Sequence, residues 1–531
     1  MLQIVDYHER TKHQPHRYAD GPGFMDWQNQ PNPFRCYPGA ESLALNLLER
    51  PLGLPYHRLF DPPSGEPESP DAERIGGFLE LALGLSARKR FGGSEWFLRI
   101  NPSSGNLHPT ECYLLLPDYA GIPACIAHYN PLLHSLEIRS RLTQPAAGRL
   151  AQMNGFALVL SSIYWREAWK YGERAFRYTQ HDIGHALAAL RFSATLCNWH
   201  FHVRPELPAS RLDALLGFAA EFSHPGEAEH ADCLCWVQTG PAAGEPDLPA
   251  LLNDLSQVAY KNQPNRLSPA HVDWPVIDQA ARSTASPGFP RTPLGSDNPV
   301  PHVPSKQSAE EIIRRRRSAQ SFDPERSRLS RAGFLQTLAA TLPASKGPFE
   351  TLGTGTHLHL LIFVHRVDEL DPGLYCLLRD GSDLENLRTS MQSGFAWSRV
   401  DAVLPLYLLQ SGDFRAFAEQ ISCHQSIAGD SAFSLGMLAR FDAVISSTPW
   451  FYPRLFWEAG FIGQILYLEA EAQGLRGTGI GCYFDDAMHR LLGLGDRCWQ
   501  DLYHFTVGAA LEDSRIQTEP PYRHLNAVRD R

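Results

Sequence analysis

The chain has 531 residues, 43% hydrophobic and 20% charged, with a formal net charge of −10, which excludes a disordered tail or a fibrous repeat. The negative balance argues against a partner made of nucleic acid or an anionic membrane. No apolar run approaches the roughly 20 residues that span a bilayer, and Met1-Leu-Gln-Ile-Val-Asp-Tyr-His-Glu-Arg10 lacks a basic-then-apolar leader, so a cytoplasmic protein is expected.

In chain order, residues 1–60 carry a basic cluster (His8, Lys12, His13, His16, Arg17) and then Pro31, Pro33 and Pro38, and read as an arm lying over a first domain. That domain spans 61–265, after a Pro/Ser/Glu loop at 61–71. Residues 266–305 hold eight prolines from Pro269 to Pro304 among Ser, Gly and Asn, a composition expected to give an extended linker without helix. A second domain spans 306–531. The two domains share an order of elements. Strand-like Cys112–Pro117 and Leu360–His365 are each followed by a short strand around a tyrosine, Tyr129 or Tyr375. Phe156-Ala-Leu-Val-Leu-Ser-Ser162 is matched to Phe441-Asp-Ala-Val-Ile-Ser-Ser447 as a strand ending in two serines. Helical spacing follows in Gly184–Ala194 and Gly460–Ala470. The ten cysteines are too sparse for a disulfide scaffold. Cys233 and Cys235 share one face of a strand, and Cys112, Cys125, Cys197, Cys376 and Cys482 read as small buried hydrophobes.

Two stretches could hold a polar ligand. Asn101-Pro-Ser-Ser-Gly-Asn-Leu-His-Pro109 packs hydroxyls, an amide and glycine-exposed backbone amides into one loop before a strand. Arg314-Arg-Arg-Arg-Ser-Ala-Gln-Ser-Phe322 passes from helix to loop, which brings Arg316 and Ser318 together at a phosphate-sized anion. A third stretch, Trp165–Tyr178, is dense in charges and aromatics. His181, Asp182 and His185 follow it on a helix, without a third evident metal ligand, so no metal is expected.

The first two motifs together resemble the FMN-binding elements of the nitroreductase superfamily, and the helices after the Ser-Ser strands resemble its SagB-type dehydrogenase branch. The resemblance implies an α+β fold of two nitroreductase-like halves, each a mostly antiparallel sheet flanked by helices, fused by tandem duplication into an intrachain pseudo-dimer. It places Arg316, Arg317, Ser318 and Gln320 on the FMN phosphate, ribityl chain and pyrimidine edge, and Pro102, Ser103, Ser104, Asn106 and His108 on the opposite wall. Gly479, Ile480 and Gly481 would offer an amide to the flavin N5 edge, and Arg515 would add a phosphate contact. Lys170 and Tyr171 match a Lys-Tyr pair implicated in removing a substrate proton. A lysine beside Arg166 and Arg174 would have its pKa lowered by like charge.

Each half lacks the motif the other keeps, which implies one FMN per chain. Gln320 stands where the family has a cation, so the flavin potential is expected to fall. The reading is an FMN-dependent oxidoreductase moving hydride between the flavin and a small or peptidic substrate. The alternatives are an NAD(P)H-dependent nitro or quinone reductase and a flavin-free scaffold. The pseudo-dimer could stand as a monomer or associate further.

Overall fold

Side chains of the central strands alternate between two faces, and this period of two sets the layers. In Leu358–Val364, Leu360, Ile362 and Val364 join one apolar cluster while Leu361 and Phe363 join another. In Gly155–Ile163, Phe156, Leu158 and Leu160 join that same first cluster, and Ala157 and Val159 face a third. One continuous core therefore runs through both halves, with a smaller cluster on the outer face of each sheet.

The computed structural model of the protein describes residues 3–218, 224, 226–241, 246–255, 258–260, 262–295 and 304–525. The first seven-stranded antiparallel sheet runs Glu41–Ala44, Ser135–Arg141, Cys125–Asn130, Thr110–Leu116, Gly155–Ile163, Glu229–Gln238, His200–Val203. The second runs Ser398–Arg399, Leu406–Ser411, Gly373–Leu377, Leu358–Val364, Phe433–Arg440, Trp499–Gly508, Arg476–Ile480, and its last six positions repeat the connectivity of the first; the edge strand differs, coming from the arm in the first sheet and from between Gly373–Leu377 and Leu406–Ser411 in the second. A third sheet joins the hairpin Leu85–Phe91 and Ser94–Arg99 to Gln517–Glu519 from the end of the chain.

Between the two large sheets lie the long helices Ala175–Leu196 and Tyr452–Ala472, buried almost all round as helices at the centre of a protein are. They cross at Gly184 and Gly460. A Cβ at Gly184 would lie 2.2 Å from the Trp457 carbonyl oxygen, and one at Gly460 would lie 2.1 Å from that of His181. The reciprocity marks a pseudo-two-fold relation, because each carbonyl stands three residues before the opposing glycine.

Four sequence expectations change. Phe441–Ser447 is no strand: Asp442–Ile445 is helical, because Phe441 and Ile445 bury at i and i+4 while Ser446 and Ser447 face out. The true counterpart of Gly155–Ile163 is Phe433–Arg440, one element earlier. Within the expected linker, Pro275–Ser283 forms a helix, with proline at its tolerated first position and Val276, Ile277 and Ala280 buried; residues 296–303 lie outside the described residues. The arm does not lie over the first domain alone: the ring of His8 bonds Tyr452 Oη and Gln500 Oε1, each at 3.1 Å, and Lys12 pairs with Asp486 at 3.0 Å in the second half, while Tyr7 Oη donates to the Glu173 carbonyl at 2.7 Å and Arg10 Nε to the Glu173 carboxylate at 2.6 Å in the first. Finally, Arg476–Ile480 is an edge strand rather than a loop. Among the described residues no helix is long and apolar enough to cross a membrane.

Candidate active site

The loop 101–109 leads into Thr110–Leu116, and its backbone is bent hard. Gly105, Asn106 and His108, on either side of an ordinary Leu107, have φ of 61, 59 and 52°, left-handed values that non-glycine residues rarely adopt and that hydrogen bonds must hold. The bonds are present. Ser104 N–H donates to Asp182 Oδ1 at 3.2 Å, and His108 N–H to Ser103 Oγ at 2.8 Å. Asn106 Nδ2 donates to the Phe97 carbonyl at 2.9 Å, which leaves its Oδ1 to accept from His108 Nε2, also at 2.9 Å.

Facing this loop is the chain after the helix Ala309–Arg315, whose last turn gives way to extended backbone at Arg316. Arg316 is buried, donates from Nη2 to the Arg99 carbonyl at 2.8 Å, and lies over the Tyr467 ring at 5.1 Å. Tyr467 Oη is 2.8 Å from Ser318 Oγ and accepts from Gly479 N–H at 3.0 Å. The arginine motif, the second long helix and the edge strand are thus tied together through one phenol.

Between the walls is a cavity of about 430 Å³. The first half contributes Pro102, Ser103, Ser104, Gly105, Asn106 and His108, and the second contributes Arg316, Arg317, Ser318, Gln320, Thr478 and Gly479. Trp96 and Leu98 of the hairpin, and Ala510, Leu511 and Ile516 of the C-terminal segment, add an apolar flank.

The electrostatics are lopsided. Arg317 is pulled down to about 9 by burial and by Arg316 and Arg476. Burial likewise lowers Arg316 and Lys89, with Arg476 adding to both. Cations that depress one another's ionisation form a site whose charge a bound anion would relieve. At the other side Asp182 is raised to about 7 by burial, and its neighbour Glu167 is raised by burial and by Asp182. Asn101 Oδ1, His108 Nδ1, Asp182 Oδ2, His185 Nδ1 and Arg316 Nε are buried on this lining without a protein partner. A cluster of unpartnered polar atoms in one cavity marks a place for a polar ligand.

Other expected residues fall elsewhere. Ile480 packs into the outer core, and the Gly481 carbonyl accepts from Arg174 and Tyr178, so of that glycine-rich stretch it is Thr478 and Gly479 that reach the cavity. Arg515 is exposed and is not among the lining residues, but it pairs at 2.7 Å with Asp513, which is. Lys170 and Tyr171 stand behind Gly105, where an added Cβ would meet Tyr171 Oη at 2.8 Å and the Lys170 side chain at 3.3 Å. Arg166 and Arg174, the cations expected beside Lys170, are instead paired with Glu111 and Asp485. His181 and His185 bond the Leu502 carbonyl and Tyr503 Oη, and no metal-binding cluster occurs among the described residues.

Motif reading weighed Asp182 and His185 only as metal ligands and missed Tyr467, Tyr503 and the hairpin. The available signal was a run of polar residues on helices otherwise built for a core.

The fold these elements define is the nitroreductase fold, with two halves in one chain. A structure from Anabaena variabilis named as a nitroreductase matches with a TM-score of 0.68 at 20% identity, over 96% of this chain and all of that one (100%). A Methanocaldococcus jannaschii protein named as a nitroreductase is 28% identical over 101 residues, 18% of this chain and 51% of its own length. The chain thus spans about half the length of that relative. No family model matches the chain.

Proposed function

We propose that the protein is an FMN-dependent oxidoreductase, a SagB-like dehydrogenase of tandem-duplicated architecture, acting on a small or peptidic substrate at one composite site per chain. The observation that carries this reading is the cavity in which Arg316 to Gln320 of one half face Ser103 to His108 of the other. The residues fit the cofactor: the crowded cations Arg316, Arg317 and Lys89 suit a phosphate, and the unpartnered atoms of Asn101, His108 and His185 suit the edge of a polar ring. Bound there, FMN supplies two-electron chemistry as hydride donor or acceptor.

The chain's own residues do the rest. Arg316 and Arg317 hold the anion, Ser318 and Asn106 give direction, and Trp96 and Leu98 keep water from one flank. Asp182, held at about 7, has a free Oδ2 on the cavity wall and can take or give a proton at neutral pH. Lys170 and Tyr171 act from behind Gly105 as positioning groups. Gln320 lends only hydrogen bonds at the place where a cation would favour the anionic reduced flavin.

Purified protein is expected to carry one FMN per chain by its visible spectrum. Arg316→Ala, which removes a charge-assisted contact, should weaken FMN binding roughly 10- to 100-fold by fluorescence titration. A chain that takes up no FMN would support the scaffold reading, and two flavins per chain would refute the composite site.

A further inference from the structure

Just beyond the strand Arg476–Ile480, two cysteines from distant parts of the chain meet. Cys482 Sγ lies 2.8 Å from Cys423 Sγ, and both residues are partly exposed. This is not the small buried hydrophobe expected for Cys482. A disulfide is about 2.05 Å long, so less than an ångström of movement closes the bond.

The surrounding chain fixes the pair. Cys423 and His424 have φ of 54 and 60° in the turn after the helix Arg415–Ile421, a bend that presents the thiol and is not adopted without support. The support is local: Gln425 Nε2 donates to the Cys482 carbonyl at 3.1 Å, and Phe484 N–H to the Ile421 carbonyl at 2.8 Å.

The two thiols are unlike. His13 Nδ1 accepts from Ala19 N–H at 2.9 Å, which puts the ring proton on Nε2, and the ring hydrogen-bonds Cys482. Arg174 donates to the adjacent Gly481 carbonyl at 3.2 Å and adds positive charge. The bond from Cys423, then His13 and Arg174, hold Cys482 well below the usual thiol range, while the Cys482 contact and burial push Cys423 up. One sulfur is prepared as a nucleophile and its neighbour as the resolving thiol. The other cysteines differ. Cys112, Cys125, Cys197, Cys233, Cys235 and Cys376 are buried, partly exposed Cys36 is pushed up by burial, and exposed Cys498 is pushed up by its bond to Asp496.

We propose that Cys423 and Cys482 form a redox-active dithiol that low-molecular-weight disulfides such as oxidised glutathione convert to an intramolecular disulfide. The Cys482 thiolate attacks one sulfur of the small disulfide, forms a mixed disulfide and releases one thiolate, which takes up a proton. Cys423 gives up its proton to solvent and attacks Cys482 Sγ, forming the internal bond and expelling the second thiolate. Two electrons pass from the pair to the small disulfide and no other reactant is consumed. The closed pair ties the turn after Ile421 to the end of the strand whose Gly479 lines the cavity.

The test uses the full chain, reduced, desalted and exposed to oxidised glutathione, with intact mass and peptide mapping as readouts. Wild type should lose two thiols without gaining glutathione and should yield a Cys423–Cys482 cross-linked peptide. Cys423→Ser should stop at one glutathione on Cys482, formed about tenfold or more faster than any adduct on Cys498. Cys482→Ser should give no adduct at Cys423 faster than at Cys498. Wild-type protein modified chiefly at Cys498, with Cys423 and Cys482 still alkylatable, overturns the proposal without reliance on any variant.

Discussion

The crossing of the two long helices has two sides, related by the pseudo-two-fold, and they have been finished differently. On the open side Asp182 caps the Ser104 N–H and leaves its second oxygen unpartnered beside His185 and the cavity. On the other side Glu458, two residues before Gly460 as Asp182 is before Gly184, accepts from the His357 N–H at 3.0 Å and pairs through its second oxygen with buried Arg379. Where His185 stands in one, Phe461 stands in the other, packed 5.0 Å from Phe349, with Arg379 lying 4.5 Å over that ring. One carboxylate is fully satisfied inside a filled core and its counterpart is left short inside a polar cavity. A backbone with twofold order therefore does not entail two sites, because the side chains decide which crevice stays hollow.

The contrast can be attacked from the filled side. Phe349→Ala is expected to cost about 3–5 kcal/mol in denaturant unfolding, without creating a second flavin site, since Arg379 and Glu458 remain in place. A second equivalent of FMN in that variant would show that packing alone separates the two crevices. The shared axis is next. Gly460→Ala drives a methyl into the His181 carbonyl and should cost about 1–3 kcal/mol in the same measurement; unchanged stability would mean that the helices part easily.

The smallest effect concerns the open side. Burial raises Asp182 to about 7, so the folded state holds its proton more tightly than the unfolded chain. Its contribution is most favourable at low pH, and stability falls as pH rises through about 4 to about 7. Asp182→Asn should flatten that fall by about 1.4 kcal/mol or more between about pH 5 and about pH 8, measured by urea unfolding. Asp232 and Glu469, also raised to about 7 by burial, leave a residual slope.

Much of this was legible beforehand. Apolar runs at Cys112–Pro117 and Leu360–His365 located most of Thr110–Leu116 and Leu358–Val364, and helical spacing at Gly184–Ala194 and Gly460–Ala470 located the middle of both long helices. Turn-forming residues at 101–109 and the arginines before Ser318 located both walls of the cavity. The second Ser-Ser segment misled because apolar residues in a seven-residue stretch fit either period, and only packing of Phe441 against Ile445 on one side chooses. Prolines in 266–305 suggested continuous extension, yet a proline at a helix start costs nothing. The pairing of Cys423 with Cys482 and the roof formed by residues 510–516 depend on contacts between distant segments, which no local pattern encodes.

The two ends of the chain cross in opposite directions. His8 and Lys12 bond Tyr452, Gln500 and Asp486 of the second half, while Gln517–Glu519 pairs with Arg88–Arg90 and Tyr522 Oη accepts from Leu85 N–H of the first. The arm also bonds Glu173 of the first half, and the first half takes a strand from the second, so neither half is complete when excised at the connection. Loss of either strips structure from its neighbour, so the molecule that length alone divides into domains is expected to melt in a single cooperative transition.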